Sequence, residues 1–275
     1  MSNTNSEASF IDHLEALRWH IVRSLIAIMI FSVVAFIYIT PIFDKIILGP
    51  TNPNFISYRL FCKLGKLLHI DNLCMTDVAI DFQNTQLSGQ FMMSLTSAMV
   101  FGFIMAFPYV AYEIWKFIKP ALTEKEKKMS TGFIFWVSVL FLLGICFGYY
   151  IITPYTINFF ATYQISDKFK NIIKIDDYLS NVMNLSLGTG IVFEMPVVVF
   201  FLSKLGLLTP TYMREYRKYA VVIILFLAAI ITPSPDVISQ FIVALPMWIL
   251  YEISIYISAI VKKEKDRKNK EFFSS

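Results

Sequence analysis

Residues 131–152 read TGFIFWVSVLFLLGICFGYYII, twenty-two consecutive positions without an acid, a base or a histidine. A helix of that length rises about 33 Å at 1.5 Å per residue, enough to cross a hydrocarbon core of about 30 Å. The run does not alternate polar with apolar residues, so it reads as a helix and not as a strand of a membrane barrel. Working outward, residues 21–38, 91–115, 178–205, 219–231 and 237–260 are also apolar enough to consider as spans. The fifth in order, 219–231, would rise only about 20 Å and would need the bilayer to thin around it. Thr232-Pro233-Ser234-Pro235 ends it sharply, which predicts a short hairpin with the sixth.

The expected fold is therefore an all-α polytopic membrane protein with six transmembrane helices, the fifth and sixth short. Residues 1–275 read as a single integral membrane domain. It has an amphipathic N-terminus at 1–20, a membrane core at 21–260 with outer loops at 41–90 and 153–177, and a tail at 261–275. Composition agrees: 56% of residues are hydrophobic and 16% charged, against about 25% charged in soluble domains. Mean hydropathy is +0.61. An ordinary soluble enzyme, a disordered chain and a collagen-like fibre are excluded. Seventeen of the 24 Lys and Arg fall in one set of alternate loops and termini, including Arg18, Arg23, Lys116 and Lys119. By the positive-inside bias both termini are expected in the cytoplasm, with the protein multi-pass in the cell inner membrane.

The first 20 residues do not read as a cleavable signal peptide. Phe10, Leu14, Leu17 and Ile21 instead form an apolar stripe at helical spacing, suited to the membrane surface, and Ser9 with Asp12 suits an N-cap. The mixed-sign tail from Lys262 to Lys270 reads as a solvated end near anionic lipid.

No phosphate loop, H-E-x-x-H or G-x-S-x-G occurs, and His13, His20 and His69 lack metal-like spacing. The expectation is a protein that is not an enzyme, holds no metal or cofactor and binds no nucleic acid. His13 and His20 take solvated or lipid-facing roles by default. Cys146 reads as a small buried apolar residue. Cys62 and Cys74 share the first outer loop, where they are either bridged or two free thiols.

Charged groups inside spans cost several kcal/mol unless paired or hydrated, so each one is a candidate site. Glu194 sits mid-span, two residues before Pro196 and shortly after Gly188 and Gly190, a pattern that predicts a bent helix. Its carboxyl is either a polar lining for a substrate or partner helix, or a protonated structural group. Glu252 shares the last span with Gln240 and Pro246, and Glu113 lies near the end of the second, where it could reach the interface. Asp236 suits a cap for the sixth helix after Pro235. Between the second and third spans, Phe117, Ile118 and Leu122 stand among charges. Thr123 and Glu126 fit a capping box there, and Glu126 would equally suit an arginine-bearing peptide.

Four stretches carry a resemblance to a known family: 10–18 (FIDHLEALR), 117–126, 193–196 (FEMP) and 231–240 (ITPSPDVISQ), the last continuing to Tyr251-Glu252. In this order they are similar to the twin-arginine translocase subunit TatC family, and the resemblance covers nearly the whole chain. It implies a cupped, concave bundle that binds paired-arginine signal peptides. With single-span TatA/TatB-type subunits, it would export folded proteins on the proton-motive force, as a homo-oligomer within a receptor complex in membrane lipid. It assigns Arg18, Phe117, Pro120 and Glu126 to signal-peptide binding. Glu194 and Gln240 fall in the intramembrane polar region where partners dock, and Pro50, Pro196 and Asp236 are outer-loop and structural positions. The pattern departs at Ala16, where the family has a second acidic residue, and in a long first outer loop. A proton-coupled small-solute transporter using Glu194 and Glu252 is the alternative, weakened by the absence of an inverted repeat.

Overall fold

The structure is a computed structural model that describes residues 4–68, 81–119, 130–166, 171–232 and 237–274. In chain order it contains α1 (Thr4–Ile37), α2 (Ile39–Ile42), α3 (Ile56–Leu68), β1 (Phe82–Gln83), α4 (Gly89–Ile118) and α5 (Ser130–Phe147). These are followed by α6 (Thr153–Thr162), β2 (Ile173–Lys174), α7 (Ile175–Phe193) and α8 (Met195–Leu205). The last helices are α9 (Pro210–Glu215), α10 (Arg217–Ile231) and α11 (Val237–Ser274). Among the described residues five helices are long and apolar enough to cross a membrane: Glu15–Ile37, Gly89–Ile118, Gly132–Thr162, Ile175–Leu205 and Ser239–Arg267. With 15 residues, α10 rises only about 22 Å and is not among them.

The chain divides into two compact units, Met1–Ile47 with Asn84–Val139, and Leu48–Gln83 with Leu140–Ser275. In the first, α1 lies along α4 through small residues. Ala98, Gly102 and Ala106 recur every four positions on α4, and both alanines are fully buried. A Cβ on Gly102 would fall 2.6 Å from the backbone of Ser32, so the two helices touch main chain to main chain there. Lipid tails give no hydrophobic drive for helix association, so such close dispersion contact supplies the attraction. The helix α1 has no break at residue 20: the amphipathic start and the first span share one axis.

The second unit has a core of Ile152, Leu185, Ile224, Ala228, Val243, Ala244 and Met247, drawn from α7, α10, α11 and a π-helical turn at Gly148–Ile152. Val199, Met213 and Ile255 join α8, α9 and α11 in a smaller cluster. Gly206, at φ 81°, ends α8, where the Leu207 amide donates back to the Leu202 carbonyl at 2.9 Å. The Thr209 hydroxyl then caps α9 by accepting from the Tyr212 amide, with Pro210 opening the helix. One parallel pair, Phe82 opposite Ile173 and Gln83 opposite Lys174, ties the segment before α4 to the segment before α7.

Two expectations need correction. The last helix is not short. It runs 38 residues through the charged tail, because no Gly or Pro follows Pro246 and the Lys- and Glu-rich stretch favours helix. Cys146 is a free, exposed thiol and not a buried one: it lies on the outward side of α5. The side-chain roles expected of His13, His69, Pro120, Leu122, Thr123, Glu126, Cys74 and Asp236 fall outside the residues whose side chains are described.

Candidate functional site

In the first unit the close α1–α4 contact leads to a polar knot at the end of α4 that carries Lys116 and Lys119. Glu113 is 2% exposed. Its Oε2 lies 2.5 Å from His20 Nδ1 on α1, and its Oε1 accepts from the Tyr109 hydroxyl, one turn back on α4, at 2.8 Å. Each carboxylate oxygen therefore has a partner, which is what a buried acid requires. The ring of His20 meets Phe117 edge to face, with centroids 6.1 Å apart. Trp115 is buried against Phe133 at 4.3 Å.

This arrangement revises two expectations. His20 is not a solvated or lipid-facing group, and Glu113 does not reach out to the interface: they satisfy one another between helices. The only sequence signal for it was a pair of titratable residues, each inside or at the edge of an apolar run, on segments 93 positions apart. Arg18, two residues before His20 inside α1, is exposed, and Phe117, at the end of α4, is half-buried, so both expected site residues lie within a few positions of the knot.

In the second unit, α7 approaches α5 as closely as backbones permit. A Cβ on Gly144 would lie 2.7 Å from the Thr189 carbonyl, and one on Gly148 would lie 2.7 Å from the Leu185 carbonyl. The Thr189 hydroxyl is 2.9 Å from the Gly144 carbonyl, across the helix pair. Five residues on, the helix breaks: α7 ends at Phe193, α8 starts at Met195, and Glu194 is both C-cap and N-cap. Pro196, at the start of α8, is buried and lacks an amide, so the break falls where that missing donor costs least. Both Glu194 carboxylate oxygens are enclosed, and no side chain among the described residues donates to them.

Gln240 donates from Nε2 to the Leu225 carbonyl at 2.9 Å and so joins α11 to α10. Glu252, which looked unexplained within its span, pairs with Arg217 at 2.6 Å; with side-chain exposures of 30% and 49% the pair is not a buried charge. Pro50 is buried in a 3₁₀ turn at Gly49–Thr51, and its carbonyl accepts from the Tyr58 hydroxyl at 2.6 Å. Burial pushes the Tyr58 phenol well above its ordinary pKa, which keeps the donor protonated. Cys62 is disulfide-bonded. Among the described residues no group of three or more His, Cys, Asp or Glu could hold a metal ion.

Residues 12–246 match the family model described as Sec-independent protein translocase protein (TatC). The chain is 42% identical over 267 residues to a Sec-independent protein translocase protein TatC of Blattabacterium, covering 96% of this chain and all of that one. It is 33% identical over 271 residues to TatCd of Bacillus subtilis, covering 95% and 96%. Among solved structures, a twin-arginine translocase receptor TatC superposes with a TM-score of 0.70 at 30% identity, over 90% of this chain and 99% of that one. A second receptor structure gives a TM-score of 0.65 at 29% identity over 91% and 99%. With a family model matched across most of its length and relatives matched end to end, the chain belongs to the TatC family of Sec-independent protein translocase proteins.

Proposed function

We propose that this chain is the receptor and core subunit of a twin-arginine translocation system. It binds paired-arginine signal peptides and, with single-span TatA/TatB-type partners, exports folded proteins on the proton-motive force. The observation that carries this reading is the end-to-end likeness to translocase TatC proteins. The His20–Glu113 knot supports the location of the signal-peptide site, because it fixes the stretch of α1 that carries Arg18 against the end of α4 that carries Phe117; Pro120 and Glu126 follow closely in the chain. Glu126 accepts an arginine of the peptide, and Phe117 packs beside it. The chain performs no covalent chemistry. A solute transporter is not favoured, since Glu252 is already neutralised by Arg217.

The finer architecture belongs to the same reading. Residues 1–275 act as one integral membrane domain in which α10 serves as the short fifth of six crossings, the bundle is cupped, and both termini are cytoplasmic. The enclosed carboxyl of Glu194, together with Gln240, forms the polar region where partner helices dock, and copies of the chain assemble within the receptor complex. Pro196 sets the bend beside it, Pro50 and Asp236 fix turns, and Cys62 pairs with Cys74; the bonded state of Cys62 supports that pairing.

Site-specific crosslinking of a twin-arginine signal peptide to the full-length protein tests the site. Glu126→Gln should weaken binding by about 1.5–3 kcal/mol, the worth of a charge-assisted hydrogen bond, or roughly 10- to 150-fold. Unchanged crosslinking in both Glu126→Gln and Phe117→Ala, with the protein folded, would remove the assignment.

A further inference from the structure

Four basic side chains converge on one cleft of the second unit. Arg214 of α9 faces Lys262, Lys263 and Arg267 of α11 across a space of about 520 Å³, and Asp266 is the acid lining it. The cleft has a fixed frame. Met213, beside Arg214, is buried against Ile255, and its carbonyl accepts from the Tyr251 hydroxyl at 2.8 Å. The hydroxyls of Ser203 and Ser258 bond at 2.8 Å and hold α8 to α11 just before the basic run. Flexible lysines on a solvated tail would spread apart under mutual repulsion; here two packed helices hold the bases together.

Two acids on α11 near the cleft are engaged elsewhere. Glu264 pairs with Lys204 at 3.5 Å and Glu252 with Arg217 at 2.6 Å. Among the described residues, Arg214, Lys262 and Lys263 have no ion-pair partner. Three cations without an ion-pair partner thus line the cleft beside one carboxylate, Asp266.

Its level in the membrane is set by independent features. The apolar part of α11 ends at Val261, immediately before Lys262 and Lys263. Tyr212, Tyr216 and Tyr219 form an exposed ladder from α9 into α10, with ring centroids 4.3 and 5.7 Å apart. Exposed tyrosines beside bases mark the headgroup layer. A basic cleft between membrane helices at that level suits an anionic headgroup.

We propose that this cleft is a binding site for the phosphate headgroup of an anionic phospholipid, held by Arg214, Lys262 and Lys263. The Arg214 guanidinium clasps the phosphate oxygens while the two lysines supply point charge. The lipid thereby bridges α9 and α11, which otherwise repel at this end. The cleft draws no residue from the expected signal-peptide site.

The test is native mass spectrometry of the full-length protein released from micelles containing phosphatidylglycerol or phosphatidylcholine. The wild type should retain phosphatidylglycerol in preference to phosphatidylcholine. The triple variant Arg214→Gln/Lys262→Gln/Lys263→Gln should bind phosphatidylglycerol roughly a hundredfold more weakly, at about fivefold per charge. A control that removes equal charge from α3, Arg59→Gln/Lys63→Gln/Lys66→Gln, should bind as the wild type does. Should the triple variant not fold, the single reversal Lys262→Glu supplies the same comparison. Equal retention by the triple variant, an equal loss in the control, or equal retention of phosphatidylcholine would each overturn the proposal. Inorganic phosphate added in equal amount should leave the lipid bound; displacement would reassign the cleft to free phosphate.

Discussion

The contact between α5 and α7 places the Glu194 break, and Gly148→Ala probes it most directly. A Cβ at Gly148 would lie 2.2 Å from the Thr189 Oγ1, 2.7 Å from the Leu185 carbonyl and 2.8 Å from the Ser186 Cα. Thr189 could rotate away, but two of the three obstacles are main chain, so the helices must separate. Separation also lengthens the reach from the Thr189 hydroxyl to the Gly144 carbonyl, now 2.9 Å. Overpacking costs about 1–3 kcal/mol, and an interhelical hydrogen bond in a membrane is worth about 0.6 kcal/mol. The better helix propensity of alanine returns up to about 1 kcal/mol. The net loss expected is about 1–3 kcal/mol. Gly188→Ala is the built-in control: a Cβ there meets nothing within 4 Å, so the propensity gain should stand alone. Equilibrium unfolding by SDS titration in mixed micelles compares the two variants. Thr189→Val should cost little more in the Gly148→Ala background than alone, since both act on one contact. If Gly148→Ala is as stable as Gly188→Ala, the close approach is not present in the folded protein and the placement of Glu194 loses its basis.

Two further predictions follow from the acids. His20→Ala leaves Glu113 buried with only Tyr109 as partner and should destabilise the protein by about 3–5 kcal/mol, whereas His20→Ala/Glu113→Ala should cost less; the same unfolding assay reads both, and a single variant as stable as the wild type refutes the knot. Glu194→Ala should leave signal-peptide crosslinking unchanged but lower co-purification with single-span partners and export of a folded reporter; normal assembly and export would make Glu194 a structural residue.

Much of this molecule was legible in its sequence because membrane crossings obey a length rule and loops carry charge by a known bias. The uninterrupted run at 131–152 and the Glu194–Pro196 bend are cases where local chemistry alone dictates the outcome: no charge to expel, and a missing amide that breaks a helix. The shortness of 219–231 could likewise be counted. The charge-rich tail does not by itself show where the last helix ends, because Lys and Glu are good helix formers and Lys204 anchors Glu264. His20 and Glu252 were misjudged for a different reason. Their partners, Glu113 and Arg217, lie 93 and 35 positions away in the chain, and no periodicity connects them.

Composition, run length and charge asymmetry determined that the chain is a multi-pass helical membrane protein, and its motifs determined the family. Only tertiary structure decided which polar groups are satisfied. A carboxylate's burden in a membrane depends on what faces it, and facing residues come from other helices. Glu113 and Glu252 found side-chain partners there, and Glu194 has none among the described residues.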